Sequence, residues 1–139
     1  TFAGVVVVGS DRNRVERNSI AGSGHDPDAE AGIHLVSNDD GSTSDRNLIA
    51  RNDLMGDTPD GLLVDPGQGR NRLERNRANG NADDGIDVDA PGTRLARNTA
   101  SGNGDLGIEA VPGVVNGGGN RASGNGNPLQ CTNVFCKTG

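Results

Sequence analysis

The segment Gly85-Ile86-Asp87-Val88-Asp89 combines a glycine with alternating apolar and acidic residues, and this pattern recurs along the chain. Alternation with a period of two is typical of a β-strand with one buried face, so Ile86 and Val88 are expected to point inward and the two aspartates outward. Five glycine–aliphatic pairs align in one column, at separations of 28, 29, 24 and 22 residues: Gly4-Val5, Gly32-Ile33, Gly61-Leu62, Gly85-Ile86 and Gly107-Ile108. The chain therefore contains an internal sequence repeat.

Two more segments recur after these pairs. One is a hexapeptide that ends in Arg-Asn, found at residues 13–18, 47–52, 71–76 and 93–98. The other places a small or aliphatic residue two positions beyond the asparagine and then a glycine, as in Ala78 with Gly80. Three short strands per repeat predict an all-β fold, a right-handed parallel β-helix, which is a single-stranded solenoid of about five coils forming one domain over residues 1–139.

Asparagine recurs at one bend of every predicted coil. Equivalent residues of neighbouring coils lie about 4.8 Å apart in such a fold, so like side chains stack along the axis. A buried amide can hydrogen-bond to the backbone and to the next amide, which satisfies polar groups that a bend leaves unpaired. We therefore interpret this column as structural: Asn18, Asn52, Asn76, Asn98 and Asn120.

These columns, together with the closing run from Gly117 to Pro128, resemble the right-handed parallel β-helix repeat proteins of pectate-lyase-like architecture that many bacteria secrete. The resemblance covers nearly the whole chain, and residues 127–139 look like the C-terminal cap of that group. It implies a secreted, extracellular protein. It implies no particular activity, because the fold hosts lyases, hydrolases, epimerases, adhesins and structural proteins.

Only two cysteines occur, Cys131 and Cys136. The four residues between them leave room for a closed loop, so we expect a disulfide that closes one end of the solenoid and indicates an oxidising compartment. Two free thiols are the alternative.

Composition excludes two classes of partner. The net charge is −6 and the aromatic fraction is 1%, so neither a basic surface overall nor aromatic stacking is available for nucleic acid. No apolar run approaches the length of about 18 residues that a membrane span requires.

Arginines recur at three positions of the repeat and predict one positively charged strip. Stacked like charges repel one another unless a polyanion, a partner chain or the interleaved Glu16 and Glu74 neutralise them. The strip is a candidate site for an acidic polysaccharide or a neighbouring subunit, and the alternative is a solvated face whose arginine stems cover apolar surface. Its members are Arg12, Arg46 and Arg70, then Arg14, Arg72 and Arg94, then Arg17, Arg51, Arg75 and Arg97.

Acidic residues gather on a different strip, at the first strand of each coil and its entry turn. Carboxylates beside Gly-rich turns could hold Ca²⁺, which takes six to eight oxygen ligands. Ordinary turn chemistry of Asp-Gly sequences is the alternative. The candidate ligands for calcium, the one cofactor considered, are Asp60, Asp84, Asp87 and Asp105.

No catalytic residue is predicted. Asp26-Pro27-Asp28 superficially resembles the Asp-Pro-His-Asp motif of mannuronan epimerases, but His25 precedes it and the chain has no tyrosine. We interpret the segment as an Asp-Pro turn, and His34 as a residue of a solvated face.

The first coil suggests a function of its own. Val5, Val6, Val7 and Val8 form a β-prone edge of low charge, with no evident cap, that can pair with another strand. We expect a non-enzymatic extracellular structural protein, a homo-oligomer whose copies stack head to tail into a fibre. The alternative is a carbohydrate-binding or carbohydrate-active module, similar to a polysaccharide lyase, that acts on an acidic polysaccharide.

Overall fold

A computed structural model describes residues 3–23, 30–57 and 59–139, and these residues form three parallel sheets. Sheet 1 contains β1 (Val5–Val8), β4 (Ala31–Val36), β7 (Asp60–Val64), β10 (Ile86–Val88) and β13 (Ile108–Ala110). Sheet 2 contains β2 (Arg14–Glu16), β5 (Leu48–Ala50), β8 (Arg72–Glu74), β11 (Arg94–Ala96) and β14 (Val115–Asn116). Sheet 3 contains β3 (Ser19–Ala21), β6 (Asp53–Met55), β9 (Arg77–Asn79), β12 (Thr99–Ser101), β15 (Asn120–Ser123) and β16 (Cys136–Lys137).

Each coil contributes one strand to each sheet. Coil 1 is β1–β3, coil 2 is β4–β6, coil 3 is β7–β9, coil 4 is β10–β12 and coil 5 is β13–β15. This arrangement confirms the predicted parallel β-helix. Within the described ranges, no helix is long and apolar enough to cross a membrane.

The core is a thin stack of aliphatic side chains, as the repeat predicts. The glycine–aliphatic column is in register along sheet 1, since Ile33 pairs with Val5 and Leu62, and Ile86 pairs with Leu62 and Ile108. Ile33, Leu62, Ile86 and Ile108 have no exposed surface. Because each side chain touches equivalents above and below, burial of apolar surface acts mainly between neighbouring coils.

The asparagine column between sheets 2 and 3 is confirmed. Asn52 Oδ1 accepts the backbone N–H of Asn18 at 3.0 Å, and Asn76 Oδ1 accepts that of Asn52 at 3.0 Å. The same amides bond to each other, as Asn52 Nδ2 donates to Asn76 Oδ1 at 3.0 Å. Asn52 and Asn76 are buried, so the ladder satisfies polar groups where water has no access.

A second ladder explains the glycines that open each coil. Asn103 Oδ1 accepts the backbone N–H of Asn81 at 3.0 Å, at the bend between sheets 3 and 1. A Cβ atom on Gly85 would lie 2.7 Å from Asn103 Nδ2 and 2.6 Å from the carbonyl oxygen of Gly107. Only glycine therefore fits at the position of Gly85, where the asparagine side chains of this ladder lie against the start of the sheet 1 strand. Asn81 and Asn103 are buried, so this ladder also satisfies polar groups where water has no access.

The predicted disulfide between Cys131 and Cys136 is present. It closes a loop next to coil 5, where Cys131 pairs with Ile108 and Cys136 with Asn120. The second ladder ends here as well, because Gln130 Oε1 accepts from Asn125 Nδ2 at 2.8 Å. The last coil is therefore covered by residues that supply its missing hydrogen bonds.

Candidate functional site

The structure gathers the predicted arginine strip on sheet 2 and the two bends that border it. Arg14, Arg72 and Arg94 lie on strands of this sheet, and Leu48 stands between Arg14 and Arg72 in the stack. Leu73 and Leu95 point into the core, so their arginine neighbours face out. We call the set the arginine face: Arg12, Arg14, Arg17, Arg46, Arg51, Arg70, Arg72, Arg75, Arg94 and Arg97. It holds ten of the thirteen basic residues of the chain.

Seven of these arginines have a left-handed backbone conformation that the sequence did not reveal. They are Arg12, Arg17, Arg46, Arg51, Arg70, Arg75 and Arg97, with φ between 55° and 59°. For a residue with a Cβ atom this conformation costs about 1–2 kcal/mol, and glycine adopts it without that cost.

Glycine does occupy the equivalent bends elsewhere. The bend between sheets 3 and 1 uses glycine in every coil, with φ of 65° at Gly22 and 67° at Gly80. One coil after Arg70, the equivalent position is Gly92. One coil after Arg97, the equivalent position is Gly119, since each of these residues directly precedes an asparagine of the ladder. This alternation of Arg and Gly at one position was the available signal for the left-handed conformation.

Two glutamates neutralise part of the face. Glu16 lies 2.8 Å from Arg14 and 3.8 Å from Arg51, and Glu74 lies 2.7 Å from Arg72 and 3.7 Å from Arg94. The hydrogen bond from Arg72 lowers the pKa of Glu74 below its ordinary value. Glu74 therefore remains ionised at neutral pH.

The bend between sheets 2 and 3 carries part of the unneutralised charge. Arg17, Arg75 and Arg97 are exposed, and no acidic side chain of the described ranges is within 4.0 Å of their guanidinium groups. With Arg51 they occupy four successive coils, about 4.8 Å apart. Such a row of planar, permanently charged groups can bind carboxylates repeated along a polymer.

The acidic strip lies on sheet 1 and its entry turn, where two of its aspartates are buried. Asp60 Oδ1 accepts the backbone N–H of Asp84 at 2.9 Å, and Asp84 Oδ1 accepts that of Leu106 at 2.6 Å. Asp60 is 6% exposed and Asp84 is 3% exposed. These two candidate calcium ligands thus also join one coil to the next.

Asp84 belongs to two carboxylate clusters. One contains Asp84, Asp87 and Glu109, the other Asp83, Asp84 and Asp105, and within each cluster a ligand atom of every residue is less than 4.8 Å from the others. The four predicted ligands therefore do not form one group, and each cluster includes a residue that was not among them, Glu109 in one and Asp83 in the other. Calcium at Asp60, Asp84, Asp87 and Asp105 stays a prediction.

Burial dominates the electrostatics of these aspartates. Loss of solvation, together with the neighbouring carboxylates, raises the pKa of Asp60 to about 7, of Asp84 to about 8 and of Asp87 to about 7. Among the described residues, Asp87 Oδ1 has no hydrogen-bond partner. The cluster can therefore hold protons near neutral pH.

The interpretation of His34 as a residue of a solvated face is wrong. Its side chain is 12% exposed, with Nε2 at 2.8 Å from Asp65 Oδ1 and 3.4 Å from Glu30 Oε2. It does face outward, but Val6 and Leu63 flank it in register on the neighbouring strands. The segment with His25 and Asp26-Pro27-Asp28 lies outside the described residues.

The valine edge is an edge strand of sheet 1, as expected. In β1 the exposed fraction is 45% at Val6 and 47% at Val8, whereas Val7 is buried and Val5 is half-buried. In the described ranges, β1, β2 and β3 are each the last strand of their sheet.

Comparisons with known proteins agree with this architecture. A family model described as "Right handed beta helix region" matches residues 1–134. The solved structure of the periplasmic alginate epimerase AlgG is similar, with a TM-score of 0.74 and 20% identity over 96% of this chain and 35% of that chain. Two mutants of that epimerase each give a TM-score of 0.71 at 17% identity, over 96% of this chain and 36% of theirs. The chain thus spans about a third of the proteins it resembles. No curated protein matches the sequence.

Proposed function

The chain belongs to the right-handed β-helix family, and we propose that it is a carbohydrate-binding or carbohydrate-active module that binds an acidic polysaccharide on its arginine face. The likeness to an alginate epimerase supports a carbohydrate-related function over a fibre-forming one. The fold alone does not select a ligand. The charge and backbone of the arginine face support an acidic ligand.

The observation that carries the proposal is the set of seven left-handed arginines. Glycine at these bends would relieve the backbone cost, and we infer that the arginine side chains offset this cost by binding a ligand. Their even spacing along the axis suits a ligand with evenly repeated negative charges. A uronic acid polymer, with a carboxylate on each sugar, has that chemistry.

The test uses substitutions that suit the backbone. A triple variant, Arg17→Gly, Arg75→Gly and Arg97→Gly, removes three charges at positions where glycine is preferred, so the fold is retained. We expect affinity for alginate at low salt to fall at least tenfold, which is about 1.4 kcal/mol. Binding of the unmodified protein should also weaken as salt screens the charges.

A matched control removes the three basic residues outside the arginine face: Arg77→Ala, Arg121→Ala and Lys137→Ala. It changes the net charge equally and should bind alginate nearly as well as the unmodified protein. Equal loss in both variants would mean attraction by net charge only, and unchanged binding in the glycine variant would disprove the proposal. A neutral polysaccharide should bind neither variant.

Localisation outside the cytoplasm forms part of the proposal. The Cys131–Cys136 disulfide supports an oxidising compartment, and the similar epimerase is periplasmic. Fractionation of the native host, followed by thiol labelling before and after reduction, tests both points together.

Self-assembly is a second candidate function, favoured by the exposed valines of β1. Head-to-tail stacking needs two open ends, and residues that follow Asn125 already supply hydrogen bonds to coil 5. Negative-stain microscopy of the purified chain tests it: fibres that disappear on Val6→Lys and Val8→Lys would support assembly, and single particles of one chain would exclude it.

A further inference from the structure

A second group of potential ligands lies on sheet 1, apart from both the arginine face and the carboxylate clusters. His34 projects outward from β4, Asp65 follows β7 and Glu30 precedes β4. One ligand atom from each residue lies within 4.8 Å of the other two. The parallel pairing of β4 with β7 brings His34 and Asp65 together although 31 residues separate them in sequence.

We propose that Glu30, His34 and Asp65 bind a divalent transition-metal ion, with Zn²⁺ as the best match. Zinc binds imidazole nitrogen and carboxylate oxygen at about 2.0–2.2 Å, so two ligand atoms of a tetrahedral site are about 3.3–3.6 Å apart. The 3.4 Å between His34 Nε2 and Glu30 Oε2 is within that range. The 2.8 Å between His34 Nε2 and Asp65 Oδ1 has to lengthen by about half an ångström, which the partly exposed Asp65 side chain permits.

The charges of the three residues also favour a cation. A neutral imidazole has a single N–H to offer from Nε2, and two carboxylates face that one nitrogen. In the described part of the chain, neither Glu30 nor Asp65 has an ion pair with a lysine or arginine. A dication bound by all three residues would balance both carboxylates, whereas one hydrogen bond satisfies only one of them.

The surroundings hold the imidazole and leave the carboxylates accessible. His34 is 12% exposed between Val6 and Leu63, while the side chains of Asp65 and Glu30 are 27% and 57% exposed. The backbone N–H of Asp65 donates to the carbonyl oxygen of Leu35 at 3.1 Å. This bond fixes the backbone from which the Asp65 side chain extends. An ion can therefore enter from the carboxylate side, and one coordination position remains for water or another ligand.

Metal selectivity distinguishes this group from the clusters around Asp84. Imidazole suits zinc, copper, iron and nickel, whereas sites made only of carboxylates suit calcium, magnesium and manganese. The cluster of Asp84, Asp87 and Glu109 contains no imidazole. Both cysteines are in the disulfide, so neither competes for zinc.

Calorimetric titration of the chelator-treated protein with Zn²⁺ tests the proposal, and Co²⁺ absorption supplies a spectroscopic readout of the ligands. We expect one ion per chain, with affinity reduced at least tenfold by His34→Gln and by Asp65→Asn. Binding should also weaken as the pH is lowered, because protons compete with the metal ion for the ligand atoms. Far-ultraviolet circular dichroism checks that each variant remains folded.

Two controls locate the ion. Glu109→Gln alters the carboxylate cluster and His25→Ala removes the other histidine of the chain, and neither should change zinc affinity. Loss of binding in either control, or equal zinc binding by His34→Gln and the unmodified protein, would overturn the proposal. The titration contains no polysaccharide, so its outcome does not depend on whether the arginine face binds one.

Discussion

Sheet 1 and sheet 2 stack like charges by the same geometry, yet they treat them in opposite ways. On sheet 2 the arginines are exposed and partly paired with Glu16 and Glu74, so their charges remain in solvent. On sheet 1 the carboxylates of Asp60 and Asp84 are buried and raised in pKa, so their charges are suppressed. A column of like residues in a solenoid therefore predicts that their side chains lie close together. Whether these side chains are ionised at neutral pH depends on how deeply they are buried.

The largest expected effect is a pH dependence of stability that originates on sheet 1. Asp60, Asp84 and Asp87 have folded pKa values of about 7, 8 and 7, above the ordinary value of 3.8. The folded protein therefore binds more protons than the unfolded chain between these values, and stability is lost as pH rises through that window. Each of these groups contributes about 3 kcal/mol between pH 8 and pH 5, so we expect the combined gain to be at least that large, measured by urea denaturation.

Sheet 2 should not oppose this trend. The pKa of Glu74 is lowered, so its contribution is present above its ordinary value of 4.5 and is lost only at lower pH. Asp84→Asn keeps an oxygen for the N–H of Leu106 and should flatten the pH profile. A profile that is flat in the unmodified protein, or that rises toward pH 8, would contradict the contrast between the sheets.

A smaller effect separates Arg72, which is on sheet 2, from Arg75, which is at the bend that follows it. Arg75 has a φ of 56°, so Arg75→Gly should raise the free energy of unfolding by about 1 kcal/mol. Arg72 is in a strand and bonds to Glu74, so Arg72→Gly should lower it by about 1 kcal/mol. Thermal melts at pH 7 measure the stability of both variants. If both substitutions change the free energy of unfolding in the same direction, the backbone at Arg75 is not strained.

The smallest effect concerns the exposed ion pairs themselves. Arg14 and Glu16 lie 2.8 Å apart, but the arginine side chain is 68% exposed. Pairs of this kind contribute about 0.2–1 kcal/mol. A double-mutant cycle with Arg14→Gln and Glu16→Gln should give a coupling below about 1 kcal/mol that vanishes in high salt. A larger coupling would mean that sheet 2 buries its charges as sheet 1 does.

Much of the fold could be predicted because a repeat shows which residues share a column. The aliphatic stack, the ladder through Asn52 and Asn76, and the disulfide all follow from local pattern and spacing. Their positions in the sequence already determine their neighbours, since each coil places equivalent residues one strand spacing apart.

The site residues could be predicted less well, because the burial of a side chain and the conformation of its backbone depend on the packing of several coils. Whether Asp84 is solvated depends on how the turns pack around it, and His34 meets Asp65 only through the register of two strands. The left-handed bends were not predicted because arginine rarely adopts that conformation, although glycine at the same position in other coils was a signal for it. The ten-arginine strip itself was found from sequence, although Leu48 interrupts one of its columns.

The asparagine ladder gives the solenoid an electrical direction. Asn98 Nδ2 donates to Asn120 Oδ1, as Asn76 Nδ2 does to Asn98 Oδ1, so the amide dipoles of successive coils align head to tail. Their oxygen ends all point toward coil 1 and their nitrogen ends toward coil 5. The two ends of the molecule are therefore unlike electrostatically, in the way that the two ends of an α-helix are. A charged group that approaches along the axis would meet a different potential at each end, whatever the side chains of the outer surface contribute.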